Sequence, residues 1–394
     1  MADGSDLSFV ESEDLLHEEA RRAVGYDDFG DPAYLEGMRV VSQAYDREAR
    51  FSPNGRLGAR QGLLTTLEER LRANRLLREN PAVLENTIER PLVICGLVRT
   101  GSTALHYLLG QDPDLQCLQY WLAGNPQPRP PRAEWEAHPH FQAAKAEIDG
   151  MYQADPSLRA IHFMMPDGPE ECRHLMAQTF TDDGLETNAH VPSYSEWYQH
   201  VDMTATYRRH LDLVKLIGST DTERTWLLKY PVHMRHIDAF LEVYPDACIV
   251  QTHRDPAAVL HSYLGLICGF RSLFEDEIDR REIATRQLEL WAAGAEKCIE
   301  VRKQRKPEQF YDLYFRDFMT DPIAEVKRMY GYFGRQLSEA GEQSLRAWHE
   351  DNPQHKHGKF SYSRSDADVG VSREEILDRF AAYMDYYGME PERK

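Results

Sequence analysis

The sequence predicts an α/β protein built on a parallel sheet flanked by helices, and three features carry that expectation. The first is the run Leu92-Val93-Ile94-Cys95, opened by Pro91 and ended by Gly96. It is short, continuous and apolar, as a strand buried on both faces must be. The second is the pair Thr225-Trp226-Leu227-Leu228-Lys229 and Ala247-Cys248-Ile249-Val250-Gln251, separated by an apolar-periodic stretch from Met234 to Val243. Strand, crossover helix and strand at that spacing give neighbouring parallel strands. The third is a glycine-bounded turn after the first run, followed at once by the helical pattern Ala104, Leu105, Leu108, Leu109.

The remaining elements follow in chain order. The first 89 residues read as helical, with Leu63, Leu64, Leu67, Leu71 and Leu76 near helical spacing among Arg and Glu. Residues 125–140, NPQPRPPRAEWEAHPH, are too rich in proline for a helix or a central strand and read as a surface excursion beside an acceptor pocket. A fourth strand is expected from Phe310 to Phe315, leading through Asp321-Pro322 into a helical pattern, and Ser372 to Tyr387 is helical again. No internal repeat and no low-complexity tract interrupts this order.

With 46 basic against 65 acidic residues, the chain carries a formal charge of −19, which argues against nucleic acid as a partner. Any anion site has to be local. The six cysteines form no C-x-x-C pair, and several lie inside apolar runs, which suits a reducing cytoplasm. The acidic start Met1-Ala2-Asp3-Gly4-Ser5-Asp6 lacks the basic character of a secretory signal, and no apolar run approaches the roughly 20 residues of a membrane span. A cytoplasmic protein without targeting segment or membrane span is therefore expected. Whether it forms a homo-oligomer is left open.

The turn itself reads Gly96-Leu97-Val98-Arg99-Thr100-Gly101-Ser102-Thr103. A strand, a glycine loop and a helix start together form an anion cradle, because backbone N–H groups converge there and the helix dipole adds about half a positive charge. Two glycines four residues apart match the beginning of a Walker A loop. The next residue, however, is Ser102 where that motif needs lysine, and the loop's cation is Arg99.

With these residues in place, the chain resembles the PAPS-dependent sulfotransferases, and within them a bacterial branch whose loop reads G-L-P-R-T-G-[ST]-T. Val98 departs from the usual proline. The resemblance implies a P-loop-like α/β fold in a single domain over residues 1–394. It would have a helical N-terminal part (1–89), an α/β core (90–334) with a helical acceptor-site insertion at about 120–222, and a segment closing over the donor (335–394). It also implies a donor, 3′-phosphoadenosine 5′-phosphosulfate (PAPS), a product, 3′-phosphoadenosine 5′-phosphate (PAP), and no metal. The loop would hold the 5′-phosphosulfate through Arg99, Thr100, Gly101, Ser102 and Thr103. Arg254 and Ser262, in QTHRDPAAVLHS, would hold the 3′-phosphate, with Lys356 and Lys359 closing over it. The acceptor would be a small, partly apolar molecule sulfated on a hydroxyl or an amine.

For the chemistry, the resemblance makes Lys229 a second cation on the leaving group, with Tyr230 where the family's K-[ST]-P element carries Ser or Thr. Glu171, in Gly168-Pro169-Glu170-Glu171-Cys172-Arg173-His174, is the first candidate for the base, placed in the first turn of a helix opened by Pro169. His233 is the second candidate, and Glu170 and His174 stay open. Two other functions share parts of this pattern. A P-loop phosphotransferase or nucleotide hydrolase would need lysine after Gly101 and an aspartate at a strand end, where the chain has Val250-Gln251-Thr252. A non-catalytic nucleotide-binding protein would have no use for Lys229 and Glu171.

Overall fold

A computed structural model of the chain describes residues 8–156, 158–161, 163–353, 356 and 370–392. Five parallel strands, β1 (Leu92–Gly96), β2 (Leu115–Cys117), β3 (Thr225–Lys229), β4 (Cys248–His253) and β5 (Phe310–Tyr314), form one sheet in the order β2-β3-β1-β4-β5. β1 is central, pairing Leu92 with Leu227 on one side and with Cys248 on the other. Its apolar run is continuous because both faces are covered. Val93 and Cys95 join one buried cluster with the N-terminal helices, whereas Leu92 and Ile94 join another around Leu105, Leu109 and Val326.

Three of the four expected strands lie within a residue or two of their sequence positions, and Thr225–Lys229 matches throughout. β2 was not expected. Its three residues, Leu-Gln-Cys, are too few to show a pattern. They are held at the sheet edge by Arg129, whose guanidinium donates to Gln116 Oε1 (2.7 Å), the Cys117 carbonyl (2.7 Å) and Gln119 Oε1 (3.0 Å). The proline-rich segment runs over the surface as expected, with most of residues 131–140 exposed, but it also acts as a strap that buries Arg129 and Trp135.

The N-terminal helices Glu13–Val24, Tyr34–Arg47 and Pro53–Glu79 pack on the same body. Leu63, Leu67 and Leu71 are buried as the spacing predicts, and Leu77 takes the inward place assigned to Leu76. Arg70 ties these helices to the insertion by donating to the carbonyls of Phe29 (2.7 Å), Asp31 (2.6 Å) and Gln178 (3.0 Å). Near the other end, Ser372 and Glu375 form a capping box that starts helix Arg373–Arg379, and helix Ala381–Tyr386 follows.

Because every strand is parallel, Gly96, Lys229 and His253 all end at one edge, the edge where ligands of open α/β sheets collect.

Candidate active site

The glycine loop leaves β1 under tight geometric constraints. Gly96 adopts φ 135°, and a Cβ there would lie 2.5 Å from the Thr252 carbonyl oxygen of β4. Gly101, φ 86°, precedes helix Ser102–Leu109, and a Cβ there would lie 2.9 Å from the Phe315 ring. Between them Arg99 is held at φ 59°, a left-handed conformation that an ordinary residue adopts only when its surroundings impose it. The first N–H groups of the following helix have no partner inside it and open toward the loop. Thr100 is buried, with Oγ1 2.7 Å from the Leu97 carbonyl oxygen and 2.6 Å from Thr252 Oγ1. Its hydroxyl pins the loop to β4 and does not line the cleft, which corrects its expected use as a hydroxyl donor.

A cleft of about 540 Å³ opens at this edge of the sheet. Arg99, Gly101, Ser102 and Thr103 form its floor, with Lys229, Glu171, Arg254 and Ser262 around them. Lys229 is 2% exposed, and its ammonium contacts Glu171 Oε1 and Thr103 Oγ1, the latter at 3.3 Å. Glu171 does not start a helix. Pro169 bridges Gln119, and the segment after it is stitched across two strand ends: the N–H of Glu170 donates to the Leu118 carbonyl (2.7 Å) and that of Cys172 to the Lys229 carbonyl (2.9 Å), and the helix begins only at Arg173. That stitching fixes Glu171 beside Lys229. Arg99 donates through Nε to Ser262 Oγ (3.3 Å), so helix Pro256–Arg271 brings its serine to the loop's arginine. Arg254, at the end of β4, lies over the Phe315 ring at 4.2 Å.

Two further carboxyl groups line the cleft. Burial, with Glu171 beside it, raises the Glu170 carboxyl to about 7, and His174 Nε2 stands 3.9 Å from it. Burial and the neighbouring Asp182 raise Asp183 to about 7, and Asp183 accepts a hydrogen bond from the Tyr230 hydroxyl.

His233 is a correction. The 3-10 turn Pro231–His236 carries it inward, where it is 0% exposed and packs against Tyr207, His210 and Phe240. Nδ1 lies 3.1 Å from the Tyr207 hydroxyl, and burial holds the imidazole well below its usual pKa. It does not line the cleft and cannot receive an acceptor's proton. Lys356 is exposed and bonds to Asn352 Oδ1 (3.0 Å), outside the cleft lining. Lys359 lies outside the described residues.

Comparison with known proteins decides the family. The model of the family described as "Sulfotransferase family" matches residues 91–339, well over half of the chain. The chain belongs to the sulfotransferase family. Sulfotransferase STF1 of Mycobacterium tuberculosis H37Rv is 35% identical, with a TM-score of 0.87 over 95% of this chain and 100% of that one. STF9 of Mycobacterium avium is 25% identical, with a TM-score of 0.91 over the whole of both chains. The omega-hydroxy-beta-dihydromenaquinone-9 sulfotransferase Stf3 of Mycobacterium tuberculosis is 26% identical over 325 residues, covering 77% of each chain.

The apolar wall of this sulfotransferase's cleft does not come from the aromatic residues of the segment between the glycine loop and β3. Trp121, Trp135, Phe180 and Tyr198 are buried in the core. Tyr263, Leu266, Ile267 and Phe270 of helix Pro256–Arg271, with Phe274 beyond it, line the cleft instead. The signal was present in the sequence, since AAVLHSYLGLICGF is apolar around most of a helix and therefore needs a second surface to cover. Phe315, which abuts both Gly101 and Arg254, was also missed because it is an ordinary aromatic at a strand end.

Proposed function

We propose that this sulfotransferase moves a sulfuryl group from PAPS to a hydroxyl on a largely apolar acceptor. The observation that carries the proposal is the convergence of Arg99, Lys229, Glu171 and Arg254 on one cleft at the strand ends, from four segments far apart in sequence. The helix start after Gly101, with Ser102 and Thr103, suits the 5′-phosphosulfate, and Arg254 with Ser262 suits the 3′-phosphate.

The acceptor oxygen attacks sulfur, the bond from sulfur to the bridging oxygen breaks, and its electron pair leaves on PAP. Arg99 and Lys229 meet the charge that develops on that oxygen. Glu171 takes the proton from the acceptor hydroxyl. Lys229 contacts Glu171 Oε1, so a phosphate bound beside the ammonium competes for it and leaves the carboxylate to the acceptor. Glu171 is preferred over His233 as base because only the carboxylate faces the cleft.

Two observations support the acceptor class. The wall from Tyr263 to Phe274 suits an apolar molecule, and the name of Stf3 states a hydroxylated menaquinone derivative as its substrate. The experiment is mass spectrometry of the protein incubated with PAPS and a panel of hydroxylated isoprenoids and sugars. Sulfated isoprenoids accompanied by PAP are expected. Sulfation confined to sugars would overturn the acceptor class, and no sulfated product with any acceptor would overturn the activity.

A further inference from the structure

Beyond the last helix, one residue reaches back to the donor end of the cleft. Glu392 Oε1 accepts a hydrogen bond from Arg254 Nε at 3.0 Å. Its backbone is fixed on both sides: the N–H of Glu392 donates to Asp255 Oδ2 (2.8 Å), and its carbonyl accepts from Arg373 Nη2 (2.9 Å). Arg373 Nη2 also bonds Asp255 Oδ2 (2.8 Å), and Asp255, only 2% exposed, caps helix Pro256–Arg271 through Oδ1. The carboxylate is therefore delivered by a built clamp and not by a loose side chain. The guanidinium that receives it is also positioned from its other side, by the face of Phe315.

We infer that Glu392 is a residue of the donor site, a built-in anion that occupies Arg254 and is displaced by the donor's 3′-phosphate. This rests on the assignment of Arg254 to that phosphate. The physical reason is exchange. Arg254 already holds an anion at 3.0 Å, and PAP, which carries the same 3′-phosphate as PAPS, has to leave after every turnover. With Glu392 poised on its clamp, one anion replaces another on Arg254 in both directions. Binding of the 3′-phosphate is weakened by the carboxylate it displaces, and departure of PAP is assisted by the carboxylate that returns. A nucleotide with only a 5′-phosphate does not compete for Arg254, so Glu392 acts selectively on 3′-phosphorylated ligands.

The test is calorimetric titration of PAP and AMP into wild type, Glu392→Gln, Arg254→Ala and the double variant, with the exposed neighbour Glu390→Gln as a control for net charge. Glu392→Gln should tighten PAP by about threefold to fivefold, the range of a part-exposed ion pair. It should leave AMP unchanged and have no effect once Arg254 is alanine. Glu390→Gln should not reproduce it. PAP affinity that is unchanged or weaker in Glu392→Gln overturns the inference, because the carboxylate would then be a passive surface partner or an aligner of Arg254. An equal gain from Glu390→Gln overturns it as well. If Arg254→Ala itself leaves PAP affinity intact, the phosphate assignment fails and this inference falls with it. Loss of PAP affinity in Arg254→Ala without any Glu392 effect removes the inference alone.

Discussion

The halves of the cleft that the proposed function assigns to donor and acceptor are built by different means. The half assigned to the donor is made of residues at the ends of three neighbouring strands: Gly96 to Thr103 after β1, Lys229 at the end of β3 and Arg254 just after β4. Parallel strands bring these ends together wherever the sheet forms, so the geometry is inherited from the topology. The half assigned to the acceptor is made of side chains spread from Glu170 to Phe274, set on the helix Pro256–Arg271, on shorter helices and on the segment after Pro169, whose placement depends on tertiary contacts. On the proposed function, the first half can be varied little without losing the donor. The second can change its apolar wall while the charged floor stays, which is how one scaffold serves different acceptors.

If the two halves meet at Glu171, the largest effect should come from that residue. Glu171→Gln keeps the size of the side chain but removes the proton acceptor, and kcat should fall by about 10² to 10⁴, as loss of a general base does, with PAP affinity nearly intact. Normal turnover in this variant would return Glu171 to a purely structural partner of Lys229. Lys229→Met should follow, lowering kcat by about 10² to 10³ through loss of charge at the leaving oxygen. A variant that bound PAPS poorly but turned it over at the wild-type rate when saturated would make the lysine a binding group only.

The next effect concerns stability and lies away from both halves. His210, His233 and His236 are neutral in the core, held below the usual imidazole pKa by burial. Below about pH 6.5 the unfolded chain binds protons that the native core refuses. The histidines' share of the stability is therefore complete above that pH and declines as the pH falls, by up to about 1.4 kcal/mol per pH unit for each, whereas the raised carboxyls of Glu170 and Asp183 act in the opposite direction. The difference in denaturant midpoint between wild type and His233→Asn should shift in favour of the variant as the pH falls from 7.5 to 5, while kcat stays near wild type. A variant inactive despite a native fold would restore His233 to the chemistry. The smallest expected effect is that of a chelator. Because Arg99 and Lys229 are assigned the leaving-group charge, turnover should survive EDTA, and rescue by magnesium after loss would favour a phosphotransferase.

How far the sequence was legible follows the same division. The loop, β3 and the Arg254 segment could be read because each packs its pattern into about ten consecutive residues, with strand periodicity on one side and a charged or glycine position on the other. Glu171 was singled out by its place in a short motif and lines the cleft, but its setting was misread, since Pro169 opens a segment stitched to Leu118 and Lys229 and not a helix. His233 failed for a geometric reason: the 3-10 turn after Tyr230 turns its side chain inward within four residues of Lys229, and spacing along the chain cannot give that direction. β2 and its buried Arg129 were invisible because three residues carry no period, and the proline-rich strap that supplies the arginine looks in sequence like solvent-facing chain.

The central claim is that this cleft reads a 3′-phosphorylated sulfuryl donor through Arg254, and calorimetry tests it most directly. Wild type should bind PAP far more tightly than AMP, and Arg254→Ala should weaken PAP by roughly 10- to 100-fold, the range for losing a charge-assisted hydrogen-bonded group, while leaving AMP almost unchanged. Equal affinity of wild type for PAP and AMP would contradict it.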